Sequence, residues 1–425
     1  MHSKMMNRSL VVLSLALALI SACDGADDAQ DASVRDADAP PVDDAAIAGD
    51  AGHADAGSVD AGSVDAGPGT PSDVIRGRFE STAAVRECGG LARWESPDGP
   101  LLKFTMNVCG DDMSALADTL VANLDAVADR GQRALIVLNQ GPNLPDAWLA
   151  RCETYSLVTG RFSGDLCLPW DASYLDDLRS ALVDVIGPRV RGHAALEAVY
   201  FTTTTMTNGA EMHFRVDRSE FPYPGDAVFQ GAYRQVMDIH QQAFDVPIVF
   251  EAGHCIWSGS SPDCATPLDL YRYTRDTYGL RQTGVAIWNC AERFWAGTGT
   301  GAETFGALAL LEEATADGAS IGCQTVGNFT QQACRFSDAD VGDYGTATPG
   351  MSTMGPPPCV EDGTLDPEGA CVDTMRWFAG VEARAEPTLR IRGTWGENWS
   401  TEFSPSGVYE TSAACRAAID LLAPE

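Results

Sequence analysis

Three observations predict an α/β chain folded as a (β/α)8 barrel. The first is the run Leu196 to Phe214, where Val199-Tyr200-Phe201 and then Thr202 to Thr205 make a β-branched and aromatic block suited to a buried strand, ending in the polar turn Thr207-Asn208-Gly209. The second is the pair of helical patterns around it, Asp177 to Gly192 before and Asp226 to Phe244 after, an alternation that builds a parallel sheet or barrel. The third is the count: eight strand-like runs, nearly every one followed by a helix, within about 350 residues, the size of one such barrel with insertions.

Taken in order, Val74 to Glu80 is the first strand and Leu101 to Val108 the second. Leu116, Leu120, Leu124 and Val127 then share one helical face, and Gly131 closes that helix. The continuous apolar run Arg133 to Asn139 is the third strand, followed by a long loop carrying Trp148, Cys152, Cys167 and Trp170. Ser173 is expected to cap a helix whose Leu175, Leu178, Leu182 and Ile186 face inward and which Gly187-Pro188 stops. After the fourth strand, the helix from Asp226 buries Phe229, Tyr233 and Val236. Val246 to Phe250 is the fifth strand, and Thr266-Pro267 opens a helix that Gly279 ends. Gly284 to Trp288 is the sixth, with a helix near Phe305 to Ala316 behind it, and Ser320 to Val326 is the seventh. Thr374 to Ala385 is expected to be helical, and Leu389 to Trp395 is the eighth strand. The Gly- and Pro-rich stretch from Cys334 to Cys371 would lie as a lid over the face where the strands end.

The first part of the chain belongs to no barrel. Lys4 and Arg8 precede an apolar run, Leu10 to Ile20, too short to span a bilayer, which describes an export signal over residues 1–23. Ile20-Ser21-Ala22-Cys23 resembles a bacterial lipobox, and that resemblance implies cleavage before Cys23, a lipid on its sulfur and a place in the cell envelope outside the cytoplasm. Residues 24–75 are a linker; Asp24 to Asp73 holds no aromatic residue and cannot bury enough apolar surface to offset the entropy of ordering, so a disordered tether is expected. Asp50, Asp55, Asp60 and Asp65 each begin an Asp-Ala-Gly unit; these lack the bidentate Glu of a calcium loop and read as a self-repelling spacer, so no metal is expected there. Residues 76–425 form the barrel domain, expected to be monomeric and to need no cofactor.

The formal net charge of −32 makes nucleic acid and anionic lipid poor partners. Thirteen cysteines less Cys23 leave an even twelve in an exported chain, which argues for disulfides. Cys152 with Cys167, Cys255 with Cys264 and Cys359 with Cys371 are candidate loop staples, the pairing being open. The absence of any CxxC makes zinc the weaker reading.

With Pro169-Trp170-Asp171 and Tyr174 ahead of a helix, Asn208 and Glu211 after the fourth strand and Trp395 on the eighth, the layout from about Arg133 to Phe403 resembles the retaining glycoside hydrolases built on TIM barrels, the clan that includes the cellulase and β-galactosidase families. The resemblance implies a carbohydrate substrate and an acid/base Glu after strand four, here Glu211, with Gly209 and Ala210 between it and Asn208. It implies a nucleophilic Glu after strand seven, a place that holds Gln324. A strand count shifted by one, another carboxylate in the role, or a barrel that binds glycans without cutting them are the open readings. The chemistry requires two carboxyl groups about 5 Å apart for retention, or up to about 9.5 Å with a water between them for inversion. Glu211, Glu251, Glu292 and Glu397 all follow strands. Glu211 as acid and Glu292 as its partner are the catalytic candidates, beside the plainer reading of Glu292 as an ion-pair partner of Arg293. Asn208, Trp170, His213, Glu251, His254, Trp288, Trp295, Gln324 and Trp395 are candidates for substrate binding, the indole rings because flat faces stack on sugar C–H groups, although core packing is the alternative for each. His240, one turn from Val236, is expected to be packed. No GxSxG elbow is present for Ser-His-Asp hydrolysis.

Overall fold

The computed structural model describes residues 77–157, 164–205, 212, 214–251, 257–258, 265–287, 308–325, 367–378, 391–397, 405 and 407–422. Eight parallel strands close into a barrel: β1 (Gly77–Ser81), β2 (Gly99–Thr105), β3 (Ala134–Asn139), β4 (Leu196–Tyr200), β5 (Ile248–Glu251), β6 (Thr283–Ile287), β7 (Ser320–Thr325) and β8 (Ile391–Glu397), with β8 pairing back onto β1. The third strand is apolar on both faces from Ala134 to Leu138 because both faces are buried. Phe79, Leu101, Leu135, Val137, Ala198, Tyr200, Val249 and Ala286 fill the interior. The alternate residues, among them Leu102, Phe104, Ile136, Leu138, Val199, Phe201, Phe250 and Ile321, pack against the helices outside.

The register stacks the interior in layers, each taken from alternate strands, as the stagger of an eight-stranded barrel requires. Phe79, Leu135 and Val249 share one layer with Gly322. Leu101, Tyr200 and Ala286 share the next with the position of Trp395. Above it come Ser81 and Val137 with the positions of Glu251 and Gln324, and then, at the mouth, Lys103 and Thr202 with the position of Glu397. The polar layers thus lie at the C-terminal ends of the strands.

The helices Met113–Ala128, Asp226–Phe244, Ala265–Tyr278 and Leu308–Asp317 stand where the periodicity puts them. Expectation and structure differ in four places: the loop after β3, the helical run from Ala172 to Val190, the helix near Thr374 and the cysteine pairing. The long loop after β3 contains a short helix, Asp146–Leu149, and an antiparallel hairpin of Thr154–Leu157 with Gly164–Cys167, stapled at its base by Cys152–Cys167. Trp148, in that loop, is buried in the outer core. The cap of the helix Ala172–Arg179 is Asp171, whose Oδ1 accepts from Tyr174 N at 3.0 Å, and not Ser173. Gly187-Pro188 does not stop that helix: a π-helical stretch, Ser180–Ile186, leads into a last turn, Gly187–Val190, and the shifted ladder tolerates a proline that lacks an N–H.

The third difference lies in the helix expected at Thr374 to Ala385, which starts earlier and spans Pro367–Phe378, opening on a proline that suits the first helical position; residues 379–385 lie outside the described residues. The fourth concerns the cysteines. Cys371 is bonded to Cys415 of the helix Ala413–Ile419, not to Cys359, because those two helices pack side by side and bring the Cα atoms to 5.5 Å. Cys88–Cys109 is a pairing that spacing did not suggest. Cys255 and Cys264, residues 1–76 and the expected lid up to residue 366 lie outside the described residues. Among the described residues, no helix is long and apolar enough to cross a membrane.

Candidate functional site

β3 ends at Asn139, with Gln140 directly after it, and the chain beyond β4 runs on through Phe201 to Thr205; all are buried although most are polar. Buried polar groups demand partners, and here one network supplies them. Gln140 Nε2 donates to Thr202 O at 2.8 Å and to Thr202 Oγ1 at 3.1 Å. Thr202 Oγ1 in turn donates to Leu138 O at 2.8 Å, tying β4 to β3. Tyr174 closes the network from the helix side, its hydroxyl donating to Gln140 Oε1 at 2.6 Å and lying 3.4 Å from Thr203 Oγ1. Burial pushes the Tyr174 phenol far up, so it remains a proton donor. The effect is to fix the exit of β4, the backbone that continues toward Asn208 and Glu211. Tyr174 is in place because Asp171 caps the helix at the correct turn.

Ser81 Oγ and Thr204 Oγ1 are buried at the same end of the barrel with no hydrogen-bond partner among the described residues. Glu251 is the last residue of β5, in register with the interior residue Ala286. Gln324 of β7 is in register with Trp395 of β8, which is in register with Phe79, and Glu397, the last residue of β8, pairs with Ser81. With the barrel closed, Ser320–Thr325 is the seventh strand, so the reading in which the count is shifted by one falls away. Trp170 is half-buried and packs edge-on against Phe221 and at a tilt against Phe229, with ring centroids 5.9 Å away in both cases. Asn208, Glu211, His213, His254, Trp288, Glu292, Trp295 and Cys23 lie outside the described residues.

Lys103 was not singled out from the sequence. It is half-buried on the inward face of β2, two residues after Leu101 and in register with Val137. A compositional signal could have found it: Lys4 and Lys103 are the only lysines among 28 basic residues, and LLKFT places Lys103 on the alternation of an interior strand face. His240 is packed as expected, behind β4 with its ring 5.6 Å from Phe201; Nδ1 donates to Val236 O at 2.8 Å, and burial lowers its pKa to about 4. Among the described residues, no group of His, Cys, Asp or Glu is arranged to hold a metal ion.

No family model matches the sequence, and no curated protein sequence matches it. Solved structures match in fold. A glycoside hydrolase aligns at 8% identity over 82% of this chain and 98% of its own, with a TM-score of 0.43. A family 5 glycoside hydrolase from Prevotella bryantii, in complex with a xyloglucan tetradecasaccharide, aligns at 9% over 83% and 96%, with a TM-score of 0.39. An old yellow enzyme homologue from Zymomonas mobilis aligns at 11% over 80% and 89%, with a TM-score of 0.31. The chain is similar in fold to the TIM-barrel glycoside hydrolases. Likeness at these scores carries no argument about chemistry, which has to come from the barrel mouth.

Proposed function

We propose that this chain is a lipid-anchored, extracytoplasmic glycoside hydrolase that cleaves a poly- or oligosaccharide by carboxylate acid/base catalysis at the barrel mouth. The observation that carries the reading is the barrel's closure with its polar layers at one end, which puts the carboxylate positions Glu251 and Glu397 on the same face as the buried Gln140–Tyr174–Thr202 network. A closed barrel supports chemistry at that end because residues from many strands converge there.

In this mechanism Glu211, which follows β4 in the sequence, protonates the glycosidic oxygen as the bond to the anomeric carbon breaks. A second carboxylate, Glu292 by sequence order, either attacks that carbon or takes the proton of an attacking water. Asn208, His213, Glu251 and His254 would hold sugar hydroxyls, and Trp170, Trp288, Trp295 and Trp395 would offer stacking faces. Gln324 supports a second reading. A neutral amide on the seventh strand cannot attack an anomeric carbon, and the barrel then binds glycans without cutting them.

The test is a screen of the full chain against a panel of polysaccharides, with parallel detection of new reducing ends and of binding. Reducing ends on at least one polymer are expected. Binding without cleavage favours the second reading, and neither binding nor cleavage removes both.

A further inference from the structure

The hairpin of Thr154–Leu157 with Gly164–Cys167 is tied to the barrel by two separate sets of contacts, and both end on the chain leaving β4. A two-stranded ribbon of this length is marginal in water by itself, so it relies on the Cys152–Cys167 bond at its base and on the burial of Leu157 and Leu166.

The first set is a relay of hydrogen bonds. Glu153, next to Cys152, accepts from Leu168 N at 2.9 Å through its carbonyl and donates its own N–H to Asp171 Oδ2 at 3.1 Å. The other oxygen of Asp171 accepts from Tyr174 N at 3.0 Å, and the Tyr174 hydroxyl donates to Gln140 Oε1 at 2.6 Å. Gln140 Nε2 reaches Thr202 O at 2.8 Å, just beyond the last residue of β4. One carboxylate thus joins the base of the hairpin to the helix cap that sets Tyr174. The second set is aromatic. The Tyr155 ring, on the hairpin, lies 4.6 Å from the buried ring of Phe221, which lies 4.8 Å from that of Phe214. Phe214 and Phe221 belong to the segment between β4 and the helix Asp226–Phe244.

The two cysteines differ in access: Cys152 is half-buried and Cys167 fully buried, whereas both partners of Cys371–Cys415 are fully buried. A thiolate can attack at Cys152 Sγ, forming a mixed disulfide there as the S–S bond breaks and Cys167 leaves as a thiolate that takes up a proton. The second thiol of a dithiol then displaces Cys152, so the dithiol is oxidised to its own disulfide and the protein is left with two thiols. Opening the bond restores to the chain the freedom that a closed loop, here with its ends 15 residues apart, withholds.

We propose that Cys152–Cys167 is a redox-sensitive brace of the barrel mouth. Closed, it holds the chain leaving β4 through Asp171, Tyr174 and Gln140 and through Tyr155 and Phe221; opened by a dithiol, it lets that chain loosen while the barrel stays folded. Its bearing on catalysis rests on the glycoside-cleaving reading, in which Glu211 follows β4. The coupling itself does not, and it is read without substrate.

Hydrogen exchange is measured on the full chain, on the double variant Cys152→Ala with Cys167→Ala, and on Asp171→Ser, which keeps one oxygen for the helix cap and has none left for Glu153 N. In the double variant, peptides covering residues 201–205 and 214–221 are expected to exchange at least about tenfold faster, the equivalent of losing one net hydrogen bond of local stability. Asp171→Ser is expected to speed the first of these and to leave the second, held by Tyr155, near its wild-type rate. Residues 134–138, in the barrel interior, are expected to keep wild-type exchange throughout, which also establishes that each variant is folded. A dithiol added to the wild type is expected to reproduce the double variant, and to add nothing at these peptides in the double variant itself. The proposal is overturned by wild-type exchange at residues 201–205 in either variant, by a further effect of the dithiol in the double variant, or by an equal rise at residues 134–138, which would mean that the bond holds the whole barrel. Failure to cleave any glycan leaves these readouts intact, so the two ideas fail separately.

Discussion

At His240 a titratable ring occupies a place that tolerates no charge. Its Nε2 is buried without a hydrogen-bond partner among the described residues, so protonation would leave an uncompensated cation behind β4. Unfolding restores the ordinary value of 6.5 from about 4. The unfolded chain therefore takes up a proton that the folded chain refuses: the contribution is complete above about pH 6.5, is lost as pH falls toward about 4, and amounts to roughly 3 kcal/mol. His240→Leu removes that linkage, so its urea midpoint is expected to fall less than the wild type's between neutral and mildly acidic pH; parallel pH profiles would refute this. Glu211 is the residue on which the proposed chemistry turns. Glu211→Gln keeps size and hydrogen bonding but removes the proton, and a loss of about 10² to 10⁴ in rate is expected on any substrate the wild type cleaves, with the melting temperature unchanged. Retained activity would take the acid role away from Glu211. Its candidacy was legible because Thr207-Asn208-Gly209 visibly terminates a strand, whereas Gln140, whose side chain braces that strand's exit, was not: nothing in the order of residues says that Tyr174 will reach it.

Among the elements, the helical run from Ala172 to Val190 shows how a local signal can be overruled. Gly-Pro ordinarily marks a helix end, but here Gly187 is required by contact: a Cβ on it would lie 2.5 Å from Ala243 O and 2.8 Å from Leu182 O. Gly187→Ala is expected to cost about 1–3 kcal/mol, because backbone atoms on both sides cannot yield as a side chain would. Gly231, inside the helix Asp226–Phe244, has nothing within 4 Å of its Cβ direction, so Gly231→Ala is expected to raise stability by up to about 1 kcal/mol. Thermal unfolding of the two variants should move in opposite directions; a drop for both would mean that Gly231 has a role its surroundings do not indicate. The hairpin Thr154–Leu157 with Gly164–Cys167 escaped sequence reading for a related reason, since its short strands alternate too weakly to stand out from a loop and are held by Cys152–Cys167.

On the scale of the whole molecule, residues 1–23 lead to the prediction that the mature chain begins at Cys23, carries lipid on its sulfur and partitions into detergent; one acyl chain anchors only marginally, so more than one is expected. Intact mass of the protein from its native host checks this, and an unmodified Cys23 would remove it. The order of the eight barrel strands and of most helices between them was determined by the sequence alone, because apolar periods of two and 3.6 and turn residues are local quantities. What only the tertiary structure decided is which of the strand residues share a level of the barrel and which cysteines meet. Closing β8 on β1 sets a stagger between strands hundreds of residues apart, and that stagger puts Lys103 with Glu397 and Ser81 with Glu251. Likewise Cys371 finds Cys415 only because two helices pack together, a contact that leaves no trace in spacing.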